Sequence, residues 1–280
     1  MCRFFTCAKL TPPFQLTLVT NEASWADAAE IAGVDQIGID IERMGKAQRQ
    51  RNVQDARVSN HELSDLALLK GHARNARLFV RLNPPHSHTK GELEAAQALG
   101  ATSVMLPYFH RASQAQQFAN WVAGRAHVAL LVETRSALEE LPAMVRIEGV
   151  DEIMLGLNDL HIELGYAHPT AVAASDVAQR ASEMVRSAGL IFGMGGLARP
   201  SDKSLAIDPD LVIARCAQLG VGSSWVSRSF LQGILPSEFA SEVRQLRCRL
   251  AYWFSRPAYE LLASHQSLMD QVERYSKRAL

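Results

Sequence analysis

Residues 128–159 read VALLVETRSALEELPAMVRIEGVDEIMLGLND. Two short apolar runs, 128–133 and 152–157, flank a stretch whose apolar residues recur at helical spacing. Neither run alternates polar with apolar, so each reads as a strand buried on both faces, as in a parallel sheet covered by helices. The first run closes on Glu133, and Asp159 lies just beyond the second. Strand, helix, strand is a βαβ unit, and its repetition decides the fold.

The pattern recurs outward in both directions. Further predicted strands are 16–20, 36–41, 78–83, 103–107, 190–194 and 211–216, with helix-like stretches such as 91–99, 111–122 and 175–187 between them. Eight repeats predict an α/β protein of the (β/α)8 TIM-barrel class with extra C-terminal helices. The alternative is an open doubly wound sheet, but no GxGxxG dinucleotide fingerprint accompanies it. The expected division is a catalytic barrel over 1–235 and a helical extension over 236–280. That extension reads either as a subunit interface in a homo-oligomer or as an ordinary capping helix. Residues 46–62 form a long polar connection, and 225–230 belong near the last strand and helix.

Composition excludes several classes of function. Of 280 residues 48% are hydrophobic and 21% charged, and 29 Lys and Arg balance 29 Asp and Glu. Nothing global argues for binding nucleic acid or a membrane surface. No apolar run approaches the roughly 20 residues of a membrane span, and Lys9 with Pro12 and Pro13 breaks the opening segment, so no secretory signal is expected. Cys2, Cys7, Cys216 and Cys248 fit no zinc or CxxC spacing, which predicts reduced thiols in a cytoplasmic protein. Cys216, placed at the end of the run 211–216, is expected to be a buried small hydrophobe.

In a barrel, chemistry gathers where strands end. The second run ends Ile39-Asp40-Ile41-Glu42-Arg43, the third Val80-Arg81-Leu82-Asn83, the sixth Gly156-Leu157-Asn158-Asp159 and the seventh Gly193-Met194-Gly195-Gly196. Glu133 and Asp159 on adjacent strands, with Arg81 two strands away, offer oxygen-only ligation suited to Mg2+ or Mn2+. A pair of solvated loop acids is the other reading. After the second run come the cations Arg43, Lys46, Arg49 and Arg51, then Asp55, Arg57, Ser59, Asn60 and His61. Rim cations are expected to recognise an anionic second substrate such as a phosphate, an acid sugar or a second carboxylate; a solvated loop is the alternative. His86 and His88, after Pro84-Pro85, read as a surface turn. His110 and His161 read as loop hydrogen-bonding residues, and Gly193-Met194-Gly195-Gly196 as tight backbone.

Taken in order, the motifs resemble the HpcH/HpaI aldolase and citrate lyase beta-subunit family. The matching stretches are Gly33-Val34-Asp35 through Ile39-Asp40-Ile41-Glu42, Val80-Arg81-Leu82-Asn83, and Leu99-Gly100-Ala101 through Met105-Leu106-Pro107. Val132-Glu133-Thr134 and Gly149-Val150-Asp151 through Gly156-Leu157-Asn158-Asp159-Leu160 continue the series. The resemblance implies a metal-dependent aldolase or carbon–carbon lyase acting through the enolate of a 2-oxo acid of the pyruvate or oxaloacetate type. It implies Mg2+ or Mn2+ on Glu133 and Asp159, and Arg81 gripping the substrate carboxylate. Asp40 and Glu42 would hold waters near the metal, and Gly156, Leu157, Asn158 and Pro107 would line the substrate. One departure stands out: family aldolases carry a histidine directly after the I-D-x-E segment, and here the residue is Arg43. A guanidinium is a poor general base. His61 is the candidate replacement, a solvated loop histidine the alternative. Citrate-synthase-like or acyl-CoA lyase acyl transfer, or a metal-binding barrel without turnover, are the other functions the resemblance allows.

Overall fold

A computed structural model describes residues 14–49 and 59–279. Cys2, Cys7, Lys9, Pro12, Pro13, Arg51, Asp55 and Arg57 lie outside the described residues. Eight parallel strands close into a barrel: β1 (Gln15–Val19), β2 (Gln36–Asp40), β3 (Arg77–Arg81), β4 (Ser103–Leu106), β5 (His127–Val132), β6 (Glu152–Leu155), β7 (Ile191–Met194) and β8 (Ser223–Trp225). Closure is by β1 pairing with β8, in the register Gln15 to Ser223 and Thr17 to Trp225.

The eighth strand is not 211–216. Those residues lie in helix Pro209–Leu219, which starts on an Asp208 side-chain cap with Pro209 in its first turn and stops at Gly220 in the left-handed region. The true β8 is three residues, Ser-Ser-Trp, and escapes an apolar search because its serines have polar partners. Ser223 Oγ donates to Glu152, and Ser224 Oγ donates to the Gly195 carbonyl at 3.0 Å. Cys216 is therefore on a helix, fully buried, and burial pushes its thiol up to about 12. It is a packing residue, not a nucleophile.

Period-2 alternation sorts each strand into an outer and an inner face. Outward residues such as Leu16, Leu18, Ile37, Ile39, Val80 and Leu130 form the main core under the helices. The inner face is layered. At the bottom, Gln36 and Arg77 donate to Gln15 Oε1 at 3.3 and 2.5 Å, and His127 Nε2 lies 3.1 Å from Glu152 Oε2. Phe79, Met105, Ala129, Leu131 and Met154 fill the middle. The top layer is charged: Asp40, Arg81 and Glu133.

Helix Pro236–Phe254 buries Phe239, Val243, Leu246 and Leu250 in the main core, packed against helices Ala23–Ala32 and Pro209–Leu219. This part of the tail thus covers the barrel wall itself. The last helix, Ala258–Ala279, packs Leu268 and Val272 with Ala171, Ala174 and Ile207. Its Tyr259, Leu262 and Met269 stay exposed. Among the described residues no helix is long and apolar enough to cross a membrane.

The β2–β3 seam is tightest at Gly38, where an added Cβ would lie 1.8 Å from the Phe79 carbonyl oxygen. Gly38→Ala is therefore expected to lower stability by about 3 kcal/mol or more, since the strand backbones would have to part. Chemical denaturation would read this; a midpoint equal to that of the unsubstituted protein would contradict the tight seam.

Candidate functional site

Asp40 and Arg81 are register partners at the ends of β2 and β3. Arg81 Nε donates to Asp40 Oδ1 at 2.8 Å and Nη2 to Oδ2 at 2.6 Å, a bidentate pair. Arg81 Nη2 also lies 3.4 Å from Glu42 Oε2. The guanidinium carbon sits 4.7 Å from the ring centre of Trp225, which meets Phe79 edge-on at 5.7 Å. Burial alone would raise the Asp40 carboxyl, but Arg81 and Lys46 outweigh it and hold Asp40 well below the usual carboxylate range. Burial likewise opposes the charge on Arg81, yet Asp40 and Glu42 hold its pKa above the ordinary value. Both Asp40 oxygens are engaged by protein groups, since Oδ1 also accepts the Glu42 amide and Oδ2 the Ser59 hydroxyl.

Glu133 follows β5 and is buried; its Oε1 accepts the Tyr108 amide at 2.9 Å. Tyr108 donates from a left-handed backbone, φ 43°, a conformation costly for a side chain of this size. Gly156, after β6, lies flat against this carboxylate: an added Cβ would approach Glu133 Oε2 to 2.5 Å. Asp159 is buried in the first turn of helix Leu157–Leu164. Burial, then the charges of Glu42 and Asp159, raise the Glu133 carboxyl well above its ordinary value, with Arg81 and Lys46 only partly opposing. Three carboxylates thus crowd one enclosed space.

The 43–49 segment lies across it. Asn83 Oδ1 accepts the amides of Arg43 at 3.0 Å and Met44 at 3.2 Å, and Gly45 turns the chain at φ 71°. Helix Lys46–Arg49 then aims both its cations inward. Lys46 Nζ is 3.1 Å from Asp40 Oδ2 and 3.0 Å from Glu42 Oε2. Arg49 Nη2 is 2.5 Å from Glu42 Oε1 and its Nε 3.4 Å from Asp159 Oδ1, with the guanidinium 3.5 Å from the centre of the Tyr108 ring. The expected rim cations are thus corrected for Lys46 and Arg49: buried carboxylates need counter-charges, and these two supply them. Arg43 stays exposed, its Nη2 donating to the His61 carbonyl at 2.9 Å.

His61 is half-buried, and its Nδ1 accepts the Asp40 amide at 3.1 Å. Burial lowers its pKa, with Arg43 and Arg228 adding to this against Asp40 and Asp65. A neutral ring whose Nδ1 accepts a hydrogen bond carries its proton on Nε2. His61 therefore presents a donor and anchors its own segment to β2, and its open nitrogen is not basic.

Of the other predicted residues, Pro107 is buried beside Tyr108, Leu157 packs beneath Gly195, and Asn158 is exposed at the start of its helix. His86 pairs with Glu92 at 3.1 Å and His88 is exposed, so this stretch is the expected surface turn. His110 Nδ1 lies 3.1 Å from Ser136 Oγ. An added Cβ at Gly193 would clash with Ser223 Oγ at 2.6 Å, and one at Gly196 would press on Ser227 at 3.0 Å, the tight-backbone role expected of them. Sequence reasoning missed Tyr108 and Trp225, apolar in type but bearing the two inward guanidinium groups. The available signal was an aromatic residue directly after one strand end and on the last strand.

Among the described residues, no three His, Cys, Asp or Glu side chains form a ready-made metal cage. The donors that fit a cation are carboxylate oxygens: Glu133, whose charged form its neighbours destabilise, and Asp159 one strand along. A hard ion would relieve that repulsion, so the residues fit Mg2+ or Mn2+ better than zinc.

The sequence profile of the HpcH/HpaI aldolase/citrate lyase family matches residues 15–203. A 4-hydroxy-2-oxo-heptane-1,7-dioate aldolase of Klebsiella pneumoniae is 28% identical over 133 residues, covering 45% of this chain and 46% of the relative, so less than half of that relative's length is matched. A citrate lyase of Burkholderia xenovorans superposes with a TM-score of 0.61 at 16% identity, covering 93% of this chain and 91% of the other. The protein CitE of Mycobacterium tuberculosis, solved with magnesium and acetate, superposes with a TM-score of 0.56 at 18% identity, covering 91% and 96%. These two likenesses speak for the barrel alone. The profile match spans well over half of the chain, and the chain belongs to the HpcH/HpaI aldolase/citrate lyase family.

Proposed function

We propose that the protein is a divalent-metal-dependent carbon–carbon lyase or aldolase working through the enolate of a 2-oxo acid of the pyruvate or oxaloacetate type. The observation that supports this reading is geometric: Arg49 bridges Glu42 and Asp159, and Glu133 lies buried against Gly156 at the same barrel end, beside a guanidinium fixed by Asp40. Glu133 and Asp159 would hold Mg2+ or Mn2+, which keep most positions for water and substrate when only two carboxylates bind them. Such an ion supplies positive charge to the keto and carboxylate oxygens of the substrate.

The chain's own groups do the rest. Arg81 is permanently charged and already oriented by Asp40 and Trp225, so it meets a developing oxyanion without reorganising. The apolar middle layer beneath it keeps water out of the barrel. Arg43 stands where the family histidine would be, and His61 presents a donor, so neither offers an open basic nitrogen. That favours substrates whose bond beside the ketone breaks without a protein base, such as loss of CO2 from an oxaloacetate-type acid. Arg43, exposed at the mouth, is placed to meet an anionic second substrate. A homo-oligomer packing the exposed Tyr259, Leu262 and Met269 across subunits, and a cytoplasmic setting with free Cys216 and Cys248, belong to the same proposal.

With Mn2+ present, we expect oxaloacetate decarboxylation to outpace exchange of the pyruvate methyl protons in D2O. Arg43→His should raise the exchange, and Arg81→Ala should slow decarboxylation by roughly a hundred- to a thousandfold. Absence of both metal-dependent reactions would refute the assignment.

A second expectation concerns stability. The folded protein keeps the Glu133 proton to higher pH than the unfolded chain, so stability falls as pH rises from 4.5 through the raised value. Metal-free Glu133→Gln is therefore expected to melt a few degrees above the unsubstituted protein at neutral pH, with the difference vanishing below pH 4.5. Mn2+ should raise the melting temperature of the unsubstituted protein and leave Glu133→Gln unmoved. A melting temperature of the unsubstituted protein indifferent to Mn2+ would contradict the two-carboxylate site.

A further inference from the structure

Arg49 is not poised like a rim residue waiting for a ligand. Its side chain is 13% exposed, and each nitrogen of the guanidinium has a partner: Glu42 on Nη2, Asp159 on Nε and the Met44 carbonyl on Nη1 at 3.0 Å, with the Tyr108 ring against one face. Two of these partners are the carboxylates that, with Glu133, make the acidic centre. Among its described side chains, the segment that delivers Arg49 buries no apolar one. Met44 is 48% exposed, and the described attachments are polar or charged: Asn83 on the Arg43 and Met44 amides, the His61 carbonyl on Arg43, the inward ion pairs, and the Arg49 stack on Tyr108. A lid held by ion pairs to carboxylates is one that a competing cation for those carboxylates can open.

We propose that Arg49 is a built-in counter-cation that occupies the acidic centre and competes with the divalent ion for Asp159, so that metal binding swings Arg49 out and loosens the 43–49 segment. The inference rests on the metal reading above and adds a regulatory step to it. Site and lid are coupled because one carboxylate, Asp159, serves both. Displacement is thereby a charge exchange, one guanidinium leaving as a hard ion arrives. Lys46 stays behind on Asp40 and Glu42, so the centre does not lose all its fixed positive charge. By reciprocity, whatever weakens the Arg49 contacts tightens metal binding by the same factor.

The test is Mn2+ titration by calorimetry on the full chain, unsubstituted and as Arg49→Met, which keeps the stack on Tyr108 but removes the charge. Arg49→Met should bind Mn2+ about tenfold more tightly, the worth of roughly one charge-assisted contact that no longer has to be broken. Equal affinities would overturn the competition while leaving the metal site standing. No Mn2+ binding by either protein would overturn the metal reading and this inference together. Hydrogen exchange on the unsubstituted protein gives a second readout that needs no variant. The amides of 43–49 should exchange faster with Mn2+ than without, and unchanged or slower exchange overturns the lid.

Discussion

Everything at the mouth of the barrel depends on the ion pair between Asp40 and Arg81. It spans the ends of β2 and β3 with two hydrogen bonds of 2.8 and 2.6 Å inside an enclosed space, where an unmatched charge on either side would be costly. Trp225 closes one side of the pair from β8, next to β1 around the ring, so three well-separated parts of the chain meet on one guanidinium. Fixing Arg81 this firmly costs it two donors. In return it gains a direction, which is what stabilising a developing negative charge demands.

Around that pair the charges do not balance evenly. Asp40 is stabilised as an anion, whereas Glu133, two strands beyond Arg81, is pushed toward its protonated form by burial and then by Glu42 and Asp159. One carboxylate positions and the other is left wanting a cation. Acids at one barrel end with opposite perturbations are a pattern that functional sites share. The inward turn of Lys46 and Arg49 follows from the same imbalance, and so does the left-handed backbone of Tyr108, which spends strain to place one more donor on Glu133.

Arg43, directly after the I-D-x-E segment, cannot accept a proton, and the neighbouring His61 has its accepting nitrogen occupied by the Asp40 amide. Family membership therefore carries the fold, and the residues at the barrel mouth decide the acid–base detail. Within one barrel, the loops decide the reaction, because they are free to change while the strands must keep packing.

Seven of the eight strands were legible in the sequence because strands buried on both faces are apolar along most of their length. Glu133, Asp159, Asp40 and Arg81 were legible because a charged residue at the end of such a run has no packing reason to be there. The eighth strand was not: Ser223 and Ser224 satisfy their hydroxyls through Glu152 and Gly195, partners distant in the chain, while the apolar run 211–216 buries itself as a helix. The direction of Arg49 and Lys46, the tautomer of His61 and the roles of Tyr108 and Trp225 were decided by tertiary structure alone. Each depends on which carboxylate, amide or ring lies across the barrel mouth, and local spacing carries no record of a neighbour that only closure of the barrel brings near.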